Sequence, residues 1–190
     1  MTTASATLSE AVFPESGRVG RVCEALVMSA VIALGAQLEV RLAFSPVPIT
    51  GQTFGVLLAG ILLGSRWGAA AVALYLTEGL LGLPVFAGGA AGPGVLAGPT
   101  AGYLVGFLPA AWLAGKLAER GWDRSPLTAA AAMLLGSAAI FACGLLNLAR
   151  FLPSSALLSA GLLPFLPGDL AKAALAAAAL PGAWKLLGRP

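Results

Sequence analysis

Long apolar stretches follow one another along this chain with only short connections between them, and a fold in water could not cover them all. Charged residues make up 10% of the 190 positions, against about 25% in a soluble domain. Hydrophobic residues reach 58%. Such a surface suits lipid, so an integral, all-α membrane protein is expected. Basic residues exceed acidic ones, 11 to 8. They lie at the ends of apolar stretches rather than in a patch, which points to membrane topology and away from nucleic acid.

A span needs about 20 apolar residues, or fewer where neighbours bury it. On that basis six spans are expected, at 22–42, 53–63, 67–83, 99–117, 127–148 and 166–187. Residues 1–20 read as a loosely ordered polar tail that precedes one six-helix domain over 21–190. The second span is short, which implies that the loop before it dips into the protein, where irregular backbone is tolerated if buried. The first apolar stretch carries Glu24, Gln37 and Glu39 and has no clear small-x-small site, so it reads as a span rather than a cleaved signal. Cys23 and Cys143 fall near opposite membrane faces on this topology, too far apart for a disulfide.

With the N-terminus inside, one side of the membrane holds Arg18, Arg21, Arg66, Lys116, Arg120, Arg124, Lys185 and Arg189. The other holds Arg41 and Arg150, with Lys172 at the mouth of the last span. Both termini are therefore expected in the cytoplasm. Trp67, Trp122 and Trp184 lie beside the inner basic residues, as an interfacial aromatic belt requires. The unusual sequence then collects on the outer side, in the connections 43–52, 84–98 and 150–168.

The last of these runs into Pro167-Gly168-Asp169-Leu170-Ala171-Lys172, where an acid and a base three residues apart share a helix face. Each ionised side chain costs roughly 2.5–3.5 kcal/mol within a span on insertion scales. A ligand with paired N–H groups and an acidic end would account for the pair. An internal ion pair, or Asp169 as the helix N-cap, accounts for it as well.

Gln52 follows two prolines and is flanked by Thr50 and Thr53, so its amide could be presented on a stiffened loop, or sit in a solvated turn. The Gly-rich stretch 88–98, with Gly89 and Ala90 at its start, permits close backbone approach to a ligand or a moving lid. It lacks the Gly-Lys-Ser/Thr ending of a phosphate loop. Tyr103 lies about one turn into the fourth span, where its ring could cover a ligand or merely line the core. Glu78 falls near the outer end of the third span, open to hydration or to pairing with Arg41 or Arg150. Glu39 and Arg41 read as a solvated rim. Ala25, Ser29 and Ala33 form a small-residue stripe that suits close helix approach.

No histidine, Walker sequence or nucleophile–base pair is present, so neither an enzyme nor a metal site is expected. Four motifs, in order, resemble the BioY family of biotin-uptake proteins. They are Pro46-Val47-Pro48-Ile49-Thr50-x-Gln52-Thr53-Phe54, Gly82-Leu83-Pro84-Val85-Phe86, Gly98-Pro99-Thr100-x-Gly102-Tyr103 and Pro167-Gly168-Asp169-Leu170-x-Lys172. The resemblance implies a substrate-binding S component of an energy-coupling factor transporter, a multi-pass protein of the cytoplasmic membrane that needs no cofactor. Biotin would be captured near the outer face, with Asp169 and Lys172 leading, Gln52 and Tyr103 in the pocket, and Thr50, Gly89 and Ala90 beside them. Ala25 and Ser29 would meet a transmembrane coupling subunit, which with ATPases on separate chains supplies the energy. Some relatives carry polar groups where this chain has Ala90 and Leu104, which leaves more of the recognition to Gln52, Asp169 and Lys172. The competing expectation is an ion-coupled carrier of a small carboxylate-containing solute, with Glu78 and Asp169 as ion sites.

Overall fold

A computed structural model describes residues 7–188. Its helices are α1 (Leu8–Val12), α2 (Arg18–Gln37), α3 (Gln52–Leu80), α4 (Ala101–Ala118), α5 (Pro126–Leu148), α6 (Ser154–Gly161) and α7 (Leu166–Leu186). A two-residue antiparallel ribbon, β1 (Glu39–Val40) and β2 (Ile49–Thr50), sets Glu39 opposite Thr50. Among the described residues, five helical segments are long and apolar enough to cross a membrane, the last combining α6 and α7.

The second of these, α3, is two helices. Gly64 takes φ +82°, and a Cβ added at Gly68 would lie 2.5 Å from the Cα of Gly60. Eight residues along one helix span about 12 Å, so the chain reverses at Gly64, within the connection expected between the second and third spans. The arm 52–63 is only about 18 Å long by helical rise, well short of a roughly 30 Å hydrocarbon layer. Glu119 holds the reversal by accepting from the backbone N–H of Ser65 at 2.8 Å and its hydroxyl at 2.6 Å. Burial pushes the Glu119 carboxyl up, but the Ser65 donors and Lys116 outweigh it and leave the group below its usual range.

Small residues let these helices touch through their backbones. A Cβ at Gly60 would lie 2.2 Å from the carbonyl oxygen of Ala111, and one at Gly115 would lie 2.4 Å from the Ser65 nitrogen. Helix α4 thus packs between α3 and α5, while α7 rests on α5.

The expectation of a loose tail over residues 1–20 is corrected for its described part. Thr7 and Glu10 form a reciprocal capping box that starts α1, and Leu8 is buried. Arg21 then ties α1 to α2 through Glu10 at 3.4 Å and Glu24 at 3.2 Å, and Ser9 donates to Glu24. The Thr-x-x-Glu cap is a readable signal that overall polarity obscures. Helix α6 likewise lies inside a stretch read as an outer loop, because residues 154–161 alone are too short to span.

At the end of the bundle bearing the 122–124 turn, the Trp184 indole N–H donates to Asp123 at 2.7 Å, and Arg124 sits 4.4 Å over the Trp184 ring. Burial pushes the Asp123 carboxyl above its usual range, against the Trp184 hydrogen bond, its own backbone and Arg124. A carboxyl raised in the folded state contributes its full stability below the unfolded value and loses it as pH climbs through the folded one. Asp123→Asn retains an acceptor for Trp184. It should match or exceed wild-type thermal stability at pH 7 in detergent, with the advantage shrinking toward pH 5. An advantage that grows on acidification would refute this.

Candidate functional site

The three connections expected on one side converge on a cavity of about 360 Å³, within the size range of small-molecule sites. The β1–β2 ribbon with Pro46 and Pro48 forms one wall and the 86–90 turn another. The start of α4, Ile140 and Phe141 of α5, and the first turns of α7 complete it. Gly51 makes the ribbon-to-helix junction possible. Its N–H donates to Gly35 O at 2.9 Å, and a Cβ there would lie 2.9 Å from that same oxygen.

Thr50, Gln52, Ala90, Tyr103, Asp169 and Lys172, all expected in the site, line this cavity together. Gly89 does not, and a Cβ added to it would meet nothing within 4 Å. At that turn Phe86, Ala87 and Ala90 face inward instead.

Lys172 reaches back from α7 to the junction of β2 and α3. Its ammonium donates to Thr53 Oγ1 at 2.6 Å, to Thr50 O at 3.2 Å and to Asp169 Oδ1 at 3.3 Å. Three donors thus meet three acceptors, and the ammonium is saturated. Asp169 is 6% exposed, and its second oxygen, Oδ2, is buried without a partner. The N-cap alternative is excluded, because α7 begins at Leu166 and Asp169 lies one turn inside. The ion-pair alternative holds, and it leaves one carboxylate oxygen free.

Gln52 is buried, accepts from the Thr50 hydroxyl at 3.2 Å and donates to the Tyr75 hydroxyl. Tyr75 in turn donates to Val85 O at 3.1 Å, and its ring meets Phe86 edge-on at 5.5 Å. The amide is therefore fixed in orientation, with one N–H and one lone pair to spare.

Tyr103, Phe141 and Phe165 form an aromatic wall, with centroids 6.0–6.5 Å apart. The Tyr103 hydroxyl donates to Gly161 O at 2.8 Å, so its ring faces the cavity while its proton is already committed. Phe141 and Phe165 carry no motif and were missed from sequence. Only the packing of α5 against α7 brings them to Tyr103.

Glu39 and Arg41, read as a solvated rim, form a 2.8 Å ion pair that lines the cavity, with the Arg41 side chain exposed. Two other expectations change. Glu78 accepts from Ser29 rather than pairing with Arg41 or Arg150, and does not line the cavity. Ala25 and Ser29, expected to meet a partner subunit, are buried inside the bundle at 5% and 0% exposure. The small stripe serves internal packing of α2 on α3, since the outward face of α2 carries larger residues such as Leu26, Val27 and Leu34. Among the described residues no group of acidic and sulfur side chains could hold a metal.

A rigid amide, one free buried carboxylate oxygen and an aromatic wall suit a small ring-bearing ligand with N–H donors. The chain is similar to the biotin transporter BioY of Rhizobium etli, 39% identical over 164 residues that cover 82% of this chain and 88% of that one. It is similar to the protein of the same name from Rhodobacter capsulatus at 44% over 155 residues, covering 75% and 80%. A solved S-component for biotin from an ECF-type ABC transporter has a like fold, with TM-score 0.74 and 28% identity over 88% of this chain and 92% of that one. The BioY family matches residues 5–189, and the chain belongs to it.

Proposed function

We propose that this chain is the biotin-binding S component of an energy-coupling factor transporter. The observation that carries it is the buried, unpartnered Oδ2 of Asp169, a residue that lines an aromatic-walled cavity beside a saturated Lys172. Biotin offers a rigid bicycle for the aromatic wall, ureido N–H groups for Asp169 and a ureido oxygen for the spare N–H of Gln52. The proposal includes six membrane crossings in the cytoplasmic membrane, with both termini inside and the cavity toward the exterior. It also includes a transmembrane coupling subunit and ATPases as separate chains that drive the inward step. The relatives' names and the fold of the solved S-component support it. An ion-coupled carrier gains nothing here, since Glu78 is engaged by Ser29 away from the cavity.

Calorimetry of the purified protein with biotin tests the binding step, and a flat titration would end this reading. For the energy source, uptake by cells carrying the whole system should continue when the proton gradient is collapsed at constant ATP. Uptake that stops under those conditions would favour the carrier.

A further inference from the structure

The cavity contains two ion pairs with different remaining capacity. All three N–H donors of Lys172 are taken up by Thr50, Thr53 and Asp169. Arg41 spends only its Nε–H, on Glu39 Oε1 at 2.8 Å. A guanidinium has five N–H donors in a planar fork that matches a carboxylate, so both terminal amino groups of Arg41 remain available. Its side chain is 75% exposed, at the open rim, whereas Asp169 is 6% exposed at the closed end.

Arg41 is also placed across the mouth. A Cβ added at Gly88 would lie 2.4 Å from Arg41 Nη2 and 2.9 Å from Glu39 Oε1. The pair therefore rests directly on the 87–89 turn, and bridges from the β1–β2 ribbon to the opposite wall. The charged groups lining this cavity are Glu39, Arg41, Asp169 and Lys172. Of these, only Arg41 has unused cationic donors.

We propose that Arg41 recognises the ligand's carboxylate at the mouth, while Lys172 positions Asp169 and the loop carbonyl of Thr50 and makes no contact with the acid. This deepens the biotin reading and rests on it. The ligand enters ring first, with its head at Asp169 and Gln52 and its acid at the rim. Glu39 holds the guanidinium through Nε and orients its terminal amino groups toward the incoming acid. Arg41 thereby selects acids over their neutral esters.

The test compares biotin with biotin methyl ester by calorimetry on wild type, Arg41→Gln and Lys172→Gln at fixed ionic strength. A charge-assisted contact at so exposed a site should give wild type roughly a fivefold to tenfold preference for the acid. Arg41→Gln should abolish that preference by weakening biotin alone, and its unchanged ester affinity doubles as a check on folding. Lys172→Gln should weaken both compounds by the same factor. The assignment is overturned if Arg41→Gln retains the acid preference, or if Lys172→Gln is the variant that removes it. Wild type binding neither compound would instead overturn the biotin reading, and this assignment with it.

Discussion

Asp169→Ala should weaken biotin binding by roughly 10- to 100-fold, the scale of losing one hydrogen bond to a charged acceptor, about 1.5–3 kcal/mol. The substitution removes the buried Oδ2 that has no other partner, and with it one of the three acceptors of Lys172. Lys172 keeps Thr50 and Thr53, so the loss should fall on the ligand more than on the fold. Asp169→Asn preserves the shape and one acceptor and should lie between the two. Calorimetry with biotin reads the first effect, and a thermal melt without ligand reads the second. If both variants bind like wild type while melting lower, the acid serves only the ion pair.

Gly60→Val should prevent the bundle from assembling. A single Cβ at this position would lie 2.2 Å from the carbonyl oxygen of Ala111, which belongs to a neighbouring backbone and cannot rotate away. Gly68 of the returning arm also lies against Gly60, since a Cβ added to Gly68 would fall 2.5 Å from the Gly60 Cα. The cost should exceed the roughly 1–3 kcal/mol of ordinary overpacking, because helices must separate rather than side chains repack. Gly182→Ala is the matched control, since a Cβ there meets nothing within 4 Å. It should be neutral or gain roughly 0.5–1 kcal/mol from helix propensity. The readout is the fraction of detergent-extracted protein that runs as a single monodisperse species. A monodisperse Gly60→Val would mean that α3 and α4 tolerate separation.

Much of this architecture was legible, for reasons that can be stated residue by residue. Lipid demands apolar helices, so the long helices declared themselves, and Gly64 fell in the expected gap of an otherwise apolar run. Asp169 and Lys172 stood out because charge is costly in a span, and Gln52 because two prolines stiffen the loop before it. What stayed hidden depends on which way a helix faces. Ser29 suits close helix approach by spacing and docking only by the family resemblance, and it turns inward to Glu78. Trp at Ala25 or Ser29 would therefore disrupt the bundle itself rather than an assembly with partners. Arg41 reads as rim because a lone exposed arginine has many bland explanations. Only the ribbon register and the 87–89 turn set it over the cavity. Phe141 and Phe165 are single aromatics among many apolar positions, with nothing local to distinguish them.

The arm 52–63 stops short, and chain from before the first span comes up against the reversal at Gly64. Thr7 comes so close that a Cβ added at Gly64 would lie 2.9 Å from its methyl group, and Leu8 buries itself beside it. This end of the bundle is thus built from two pieces of chain far apart in sequence, the short arm and the segment that precedes the first span. Shortening the N-terminus past Leu8, a routine step in preparing membrane proteins, would uncover the reversal while leaving the cavity lined by Asp169 and Lys172 untouched.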